Sequence, residues 1–120
     1  MAYQNPLRTQ TATIASGASL SGAVTVDGEA VVAVITPAAW TAAALTFEKS
    51  IDGAAFFPVF DVDAELDVVS AVMGTAQARW VVLDPRIYAD AKAIRLRSGT
   101  SGAPVSQGAD RDFTVVTRPI

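Results

Sequence analysis

The side chains best spaced for chemistry in this sequence are four carboxylates, Asp61, Asp63, Glu65 and Asp67, one at every second position. Hard cations such as Ca²⁺ take several oxygen ligands from a flexible loop, so the series is a candidate calcium site. The helix-flanked calcium loop requires Gly at its sixth position, and Leu66 stands there instead. Two carboxylates of the series could also flank a glycosidic bond, but any acidic loop offers that separation. The plain alternative is the solvated face of a loop or strand.

Other chemistry is removed by what the chain lacks. It has no Cys, which excludes disulfides, thiolate nucleophiles and Cys-ligated metals. It has no His, which removes the commonest general base, the commonest transition-metal ligand and every Ser-His triad. No Gly-rich phosphate loop is present. An enzyme is therefore not expected, nor a bound cofactor or dedicated metal centre. Nine basic residues face twelve acidic ones, so the overall balance offers no basic stripe for nucleic acid. Lys49 and Lys92 are the lysines, and the other cations are Arg. Guanidinium suits bidentate contacts at protein interfaces, although genomic base composition also enriches Arg.

Three binding features remain. Arg95 and Arg97 alternate with Ile94 and Leu96, which points both guanidiniums to one outward strand face, with Arg79 as a third candidate. Phe56, Phe57, Phe60, Trp40 and Trp80 could form a sugar-stacking platform, although aromatics in small β-domains more often fill the core. Strand alternation sets Phe57 opposite Phe56 and Phe60, which makes one of these sets a candidate for exposure. Ser50-Ile51-Asp52-Gly53 resembles a shortened Asp-box of sialidase-type propellers, without its Thr-Trp end, and is read as a hairpin turn.

The elements that must position these groups are strands. The 120 residues suit one domain with its own core. No apolar run reaches the roughly 18 to 20 residues of a membrane helix, and Met1–Gln10 lacks the apolar core of a secretory signal. A soluble chain is expected. Thr9–Ile14 is rich in β-branched residues, and Leu20–Val26 ends at the turn dipeptide Asp27-Gly28. Ala30–Ile35 is a continuous apolar run that predicts a central strand buried on both faces. Ala38–Ala44 is too short for a stable helix and predicts one turn or a loop, with Trp40 capping the core. Leu45–Glu48 and Phe56–Phe60 flank Asp52-Gly53 as a hairpin, with Pro58 marking an edge. Asp61–Asp67 predicts a loop leading to a short strand at Val68 and Val69. Strands follow at Arg79–Leu83, Ile94–Ser98 and Phe113–Thr117, with a helical turn over Ile87–Lys92 and a long loop over Ser98–Gly108. About eight or nine short strands bounded by turns predict an all-β, single-domain antiparallel β-sandwich, jelly-roll-like, spanning residues 11–120. Residues 1–10 predict an extended N-terminal arm.

One resemblance covers most of the chain. Ala12-Thr13-Ile14-Ala15-Ser16-Gly17 leads to Pro37-Ala38-Ala39-Trp40-Thr41-Ala42-Ala43-Ala44-Leu45-Thr46-Phe47. Ser50-Ile51-Asp52-Gly53, Arg97-Ser98-Gly99-Thr100, Ala103-Pro104-Val105 and Gln107-Gly108-Ala109 follow. Together these resemble a family of small proteins encoded among the virion structural genes of tailed phages and gene transfer agents. The resemblance implies a head-decoration, cement or head-fibre role on the capsid exterior, after synthesis in the bacterial host cytoplasm. It implies contacts with the major capsid protein and self-association, with a trimer preferred, and no nucleic-acid or membrane partner. It marks the Trp40 turn and the Ser98–Gly108 loop as the characteristic segments. The candidate partner-binding residues are Pro6, Arg8, Trp40, Arg95, Arg97, Thr100, Pro104 and Gln107. Two alternatives stay open: a fibre, spike or tail module that binds host surface glycans, and a cell-wall hydrolase resting on the carboxylates alone.

Overall fold

The computed structural model describes residues 7–66, 69 and 77–119. Along the chain the strands are β1 (Arg8–Ile14), β2 (Val24–Thr25), β3 (Glu29–Ile35), β4 (Leu45–Ser50), β5 (Phe57–Pro58) and β6 (Phe60–Asp61). They continue as β7 (Ala64–Glu65), β8 (Trp80–Val82), β9 (Ala93–Thr100), β10 (Ala103–Pro104) and β11 (Arg111–Pro119). One helical turn, α1 (Pro85–Tyr88), lies between β8 and β9.

Two sheets share one core. The first has the order β1-β11-β3-β8, and the second has β10-β9-β4-β5 with β2 added on β9. A separate ribbon is made of β6 and β7. Every ladder is antiparallel. Ile14, Val31, Val34, Phe113 and Val115 of the first sheet meet Leu45, Phe47, Ile94 and Leu96 of the second in one apolar cluster. The architecture is therefore all-β and sandwich-like, a single domain, as the turn-bounded strands predict.

A bulge sets the faces of β3. Thr117 pairs with Val31 and Val116 with Ala33, so Val32 is the extra residue. Val31 and Val34, three apart, thereby both enter the core. This explains why the apolar run Ala30–Ile35 does not alternate. Aromatic rings close the core elsewhere. Tyr88 of α1 meets Phe47 edge-on at 5.6 Å, and Trp40 meets Phe113 at 5.3 Å with an interplanar angle of 88°. Each such pair adds about 0.5–1.5 kcal/mol beyond its buried area. Trp40 Nε1 donates to Ala43 O at 2.9 Å, so the 38–44 segment is a loop that caps the core with its Trp.

Several boundaries differ from expectation. Arg8, Thr9 and Gln10 are not arm: they pair with Thr117, Val116 and Val115. Alternating Thr side chains favour a strand, and β11 without this partner would be an open edge. Pro6 and the rest of residues 1–6 lie outside the described residues. Within Leu20–Val26 only Val24 and Thr25 form a strand, while Leu20 and Ser21 make isolated bridges to Arg97 and Ile14. The segment after Asp52-Gly53 splits at buried Val59. Phe57 and Pro58 pair with β4 at the sheet edge, as Pro58 requires, and Phe60–Asp61 turns away into the ribbon. The helical turn starts earlier than expected, at Pro85, because Asp84 Oδ1 accepts from Arg86 N at 3.0 Å and caps it. The 98–108 loop is largely a hairpin, with Thr100 opposite Ala103 and Gly99 opposite Pro104. The 61–67 loop is the turn of β6 and β7, with Val62 at its tip at φ +46°. Asp67 and Val68 lie outside the described residues, and Val69 bridges to Leu45.

Candidate functional site

The Arg95/Arg97 face is not a free outward surface. Glu48 stands directly opposite Arg95 on β4 and diagonal to Arg97, on the same face of the sheet. Its Oε1 accepts from Arg95 Nε at 3.1 Å and Nη2 at 2.7 Å, and its Oε2 accepts from Arg97 Nη2. Glu65 of the ribbon adds a second carboxylate, with Oε2 3.6 Å from Arg97 Nη1. Its Oε1 accepts from the backbone N and the Oγ of Ser101, both at 3.1 Å. Arg97 is 7% exposed, and Phe56 stacks under Arg95 with the guanidinium carbon 4.1 Å from the ring centre. The expectation of two solvent-facing guanidiniums is thus corrected: the ribbon folds over them and internal carboxylates take their charge. Arg95 stays half-buried and Arg97 is committed to the interior.

Gln107 is also internal. It is 1% exposed, and its amide is fully engaged. Nε2 donates to Thr41 O at 3.0 Å and Ser98 Oγ at 2.6 Å, while Oε1 accepts from Thr41 N at 2.8 Å and Arg111 Nε at 3.0 Å. Its own backbone N donates to Ala18 O and its carbonyl accepts from Gly17 N. Gln107 therefore ties the Trp40 loop to β9 and β11, and is no partner-facing residue. Trp40 is half-buried on Phe113, so most of its ring serves the core. Arg8 pairs within the chain, 3.2 Å from Glu29, with its stem exposed.

Of the candidates, Pro104 is the exposed one on the β9–β10 hairpin, with Thr100 half-buried beside it. Gly99 sets that hairpin. It has φ +91°, and a Cβ there would overlap Ala103 O. Its carbonyl accepts from Thr46 Oγ1 at 2.7 Å.

The acidic series is dispersed. Asp61 and Asp63 are exposed, and Glu65 turns inward onto Ser101 and Arg97. Among the described residues no three Asp or Glu side chains gather as metal ligands. Among those residues, too, no helix is long and apolar enough to cross a membrane.

Two further surfaces carry Trp80 and Phe57, two of the aromatics considered for a sugar-stacking platform. The first is the outer face of the first sheet. Trp80 and Val82 project from edge strand β8, 57% and 79% exposed, opposite Ile35 and Ala33 of β3. The Trp80/Val82 alternation is visible in the sequence, but their outward direction is not. The second is a cleft of about 220 Å³ where β4 and β5 meet the segment after α1. Ile51, Phe57 and Pro58 line it together with Lys49, Ser50, Asp90 and Ala91. Lys49 and Asp90 are 41 residues apart, so only the fold brings them together.

No family model, curated protein or solved structure matches this chain.

Proposed function

We propose that the chain is a non-enzymatic structural protein of a phage-type particle, held on the capsid exterior by contacts with the major capsid protein. The observation that supports binding best is the outer face of the first sheet, where Trp80 and Val82 stand in solvent beside Ile35. Exposed aromatic and aliphatic side chains together on a sheet face match the apolar centre of a protein interface. The major capsid protein is proposed as partner on the resemblance of the segments Pro37–Phe47 and Arg97–Thr100 to phage head proteins. The capsid reading is supported further by the way the chain alternates between sheets, β3 to β4 and β8 to β9, in the manner of a jelly roll. Pro104 and Thr100 on the β9–β10 hairpin would offer a second contact to a neighbouring subunit. A homotrimer around this contact is the assembly proposed.

Quantitative mass spectrometry of purified particles tests the role. A copy number that scales with the major capsid protein is expected, and absence or trace copies would overturn it. Trp80→Ser with Val82→Ser should release the protein from particles while costing far less stability than a core substitution, because both residues are exposed.

A further inference from the structure

The cleft between β5 and α1 combines an apolar wall with a fixed ion pair. Phe57 is cross-strand from Lys49 and is 62% exposed. Ile51 and Pro58 extend the wall, both exposed. Beside it, Lys49 Nζ donates to Ile87 O and to Asp90 Oδ1, each at 2.6 Å. We propose that this cleft is a binding subsite for one pyranose ring of a neutral sugar, with the ring's C–H face on Phe57 and its hydroxyls on Lys49 and Asp90.

Four properties of the cleft lead there. An ammonium has three donors, and Lys49 uses two, so one is left for a ligand oxygen. Asp90 Oδ2 has no partner among the described residues, so an acceptor stands next to that donor. Neighbouring hydroxyls on a sugar give and take hydrogen bonds at once, which meets both needs together. The local charge is balanced, because Lys49 and Asp90 cancel. A phosphate or carboxylate would face Asp90, and a cation would face Lys49, so neither is favoured over a neutral ligand. Size sets the limit on the other side. At about 220 Å³ the cleft is below the ~300 Å³ at which drug-sized ligand pockets begin, which allows a single ring and leaves the rest of a glycan in solvent. An aliphatic side chain would cover the wall but strand the free donor and acceptor, which carries a desolvation cost that hydroxyls avoid.

The subsite does not rest on the capsid assignment, since a shell protein and a free-standing module could each carry it. The test is a ¹⁵N–¹H NMR titration of the full chain with methyl glycosides of glucose, galactose, mannose, N-acetylglucosamine and rhamnose. Cyclohexanol and glucose 6-phosphate serve as comparisons. At least one neutral sugar should shift the amides of Lys49, Ser50, Ile51, Phe57 and Ala91 and saturate in the millimolar range expected of a single ring. Phe57→Ala should weaken that binding about tenfold, while Phe57→Tyr keeps it. Phe57 is on an exposed edge, and unchanged amide shifts away from the cleft will show that the variant is folded. Silence of these amides toward every neutral sugar would overturn the proposal. So would equal binding of cyclohexanol, which would make this a mere apolar groove, or tighter binding of glucose 6-phosphate, which would make it an anion site.

Discussion

Glu48 and Arg97 lie on neighbouring strands with both side chains buried, and the carboxylate Oε2 accepts from Nη2 of the guanidinium. Arg95 occupies the other oxygen of the same carboxylate. One carboxylate therefore bridges two cations under the β6–β7 ribbon, and Glu65 supplies the second negative charge that balances them.

Replacing Glu48 with Gln leaves two guanidiniums facing each other with only Glu65 in reach. Breaking a buried pair from one side costs about 3–5 kcal/mol, because the charge left behind is uncompensated. Glu48→Gln should lower the free energy of urea unfolding toward that range. Arg95→Met should cost less, since Arg95 is partly exposed and its loss leaves Glu48 paired with Arg97.

Gln107→Ala removes four side-chain hydrogen bonds and leaves Thr41 and Ser98 groups without partners inside the fold. Each abandoned buried group costs about 1–3 kcal/mol. A total loss of about 3 kcal/mol is expected, together with faster hydrogen exchange at Thr41 N, whose acceptor is gone.

Two glycines with positive φ should respond differently to Ala. At Gly53, φ +82°, an added Cβ meets open space, so only the backbone cost of about 1 kcal/mol is expected. At Gly99 the same φ penalty is joined by overlap with Ala103 and Pro104 backbone atoms, which cannot move without opening the hairpin. Gly99→Ala should therefore destabilise the protein by clearly more than Gly53→Ala, measured as the difference in unfolding midpoint.

The turn after β4 carries an acid-sensitive carboxylate. Asp52 Oδ1 accepts from Ala55 N at 3.0 Å, Ala54 N at 2.8 Å and Ser50 Oγ at 3.0 Å. Chiefly through the Ala55 and then the Ala54 amide, its pKa is lowered from 3.8 to about 2. Asp84 is lowered as well, first by the Arg86 side chain and then by the Arg86 amide. A folded value below the unfolded one means that the stability is complete above the unfolded value and is lost as pH falls through the folded one. Wild-type stability should thus fall between pH 3.8 and about 2 on account of Asp52. Asp52→Asn should flatten that part of the profile, and a carboxyl ¹³C titration of Asp52 should have its midpoint near the lower limit.

The same residues show what a linear reading reaches. Leu45–Glu48 and Ile94–Ser98 alternate at the strand period, Thr9–Ile14 and Phe113–Thr117 are rich in β-branched residues, and each lies in a strand. Asp84-Pro85 and Asp52-Gly53 mark turns because their backbone chemistry is local. What escaped is non-local. The Arg95/Arg97 alternation gave the correct shared face but not its cover, because Glu48 and Glu65 arrive from 47 and about 32 positions away through sheet pairing and ribbon folding. Gln107 looked like a loop polar residue, and only its four partners make it internal. The bulge at Val32 has no marker in a run of Ala and Val.

The position of β11 has a kinetic consequence. It lies between β1 and β3, and Thr117 Oγ1 reaches Arg8 O across 109 positions of chain. The interior plank of the first sheet thus follows the other three strands of that sheet in the chain, and β1 has no sheet partner until β11 is made. High contact order of this kind slows folding, to the millisecond-to-second range for all-β domains. β1 must therefore wait as an unpaired strand, with its Thr face and apolar face both open to other chains, until β11 has been made.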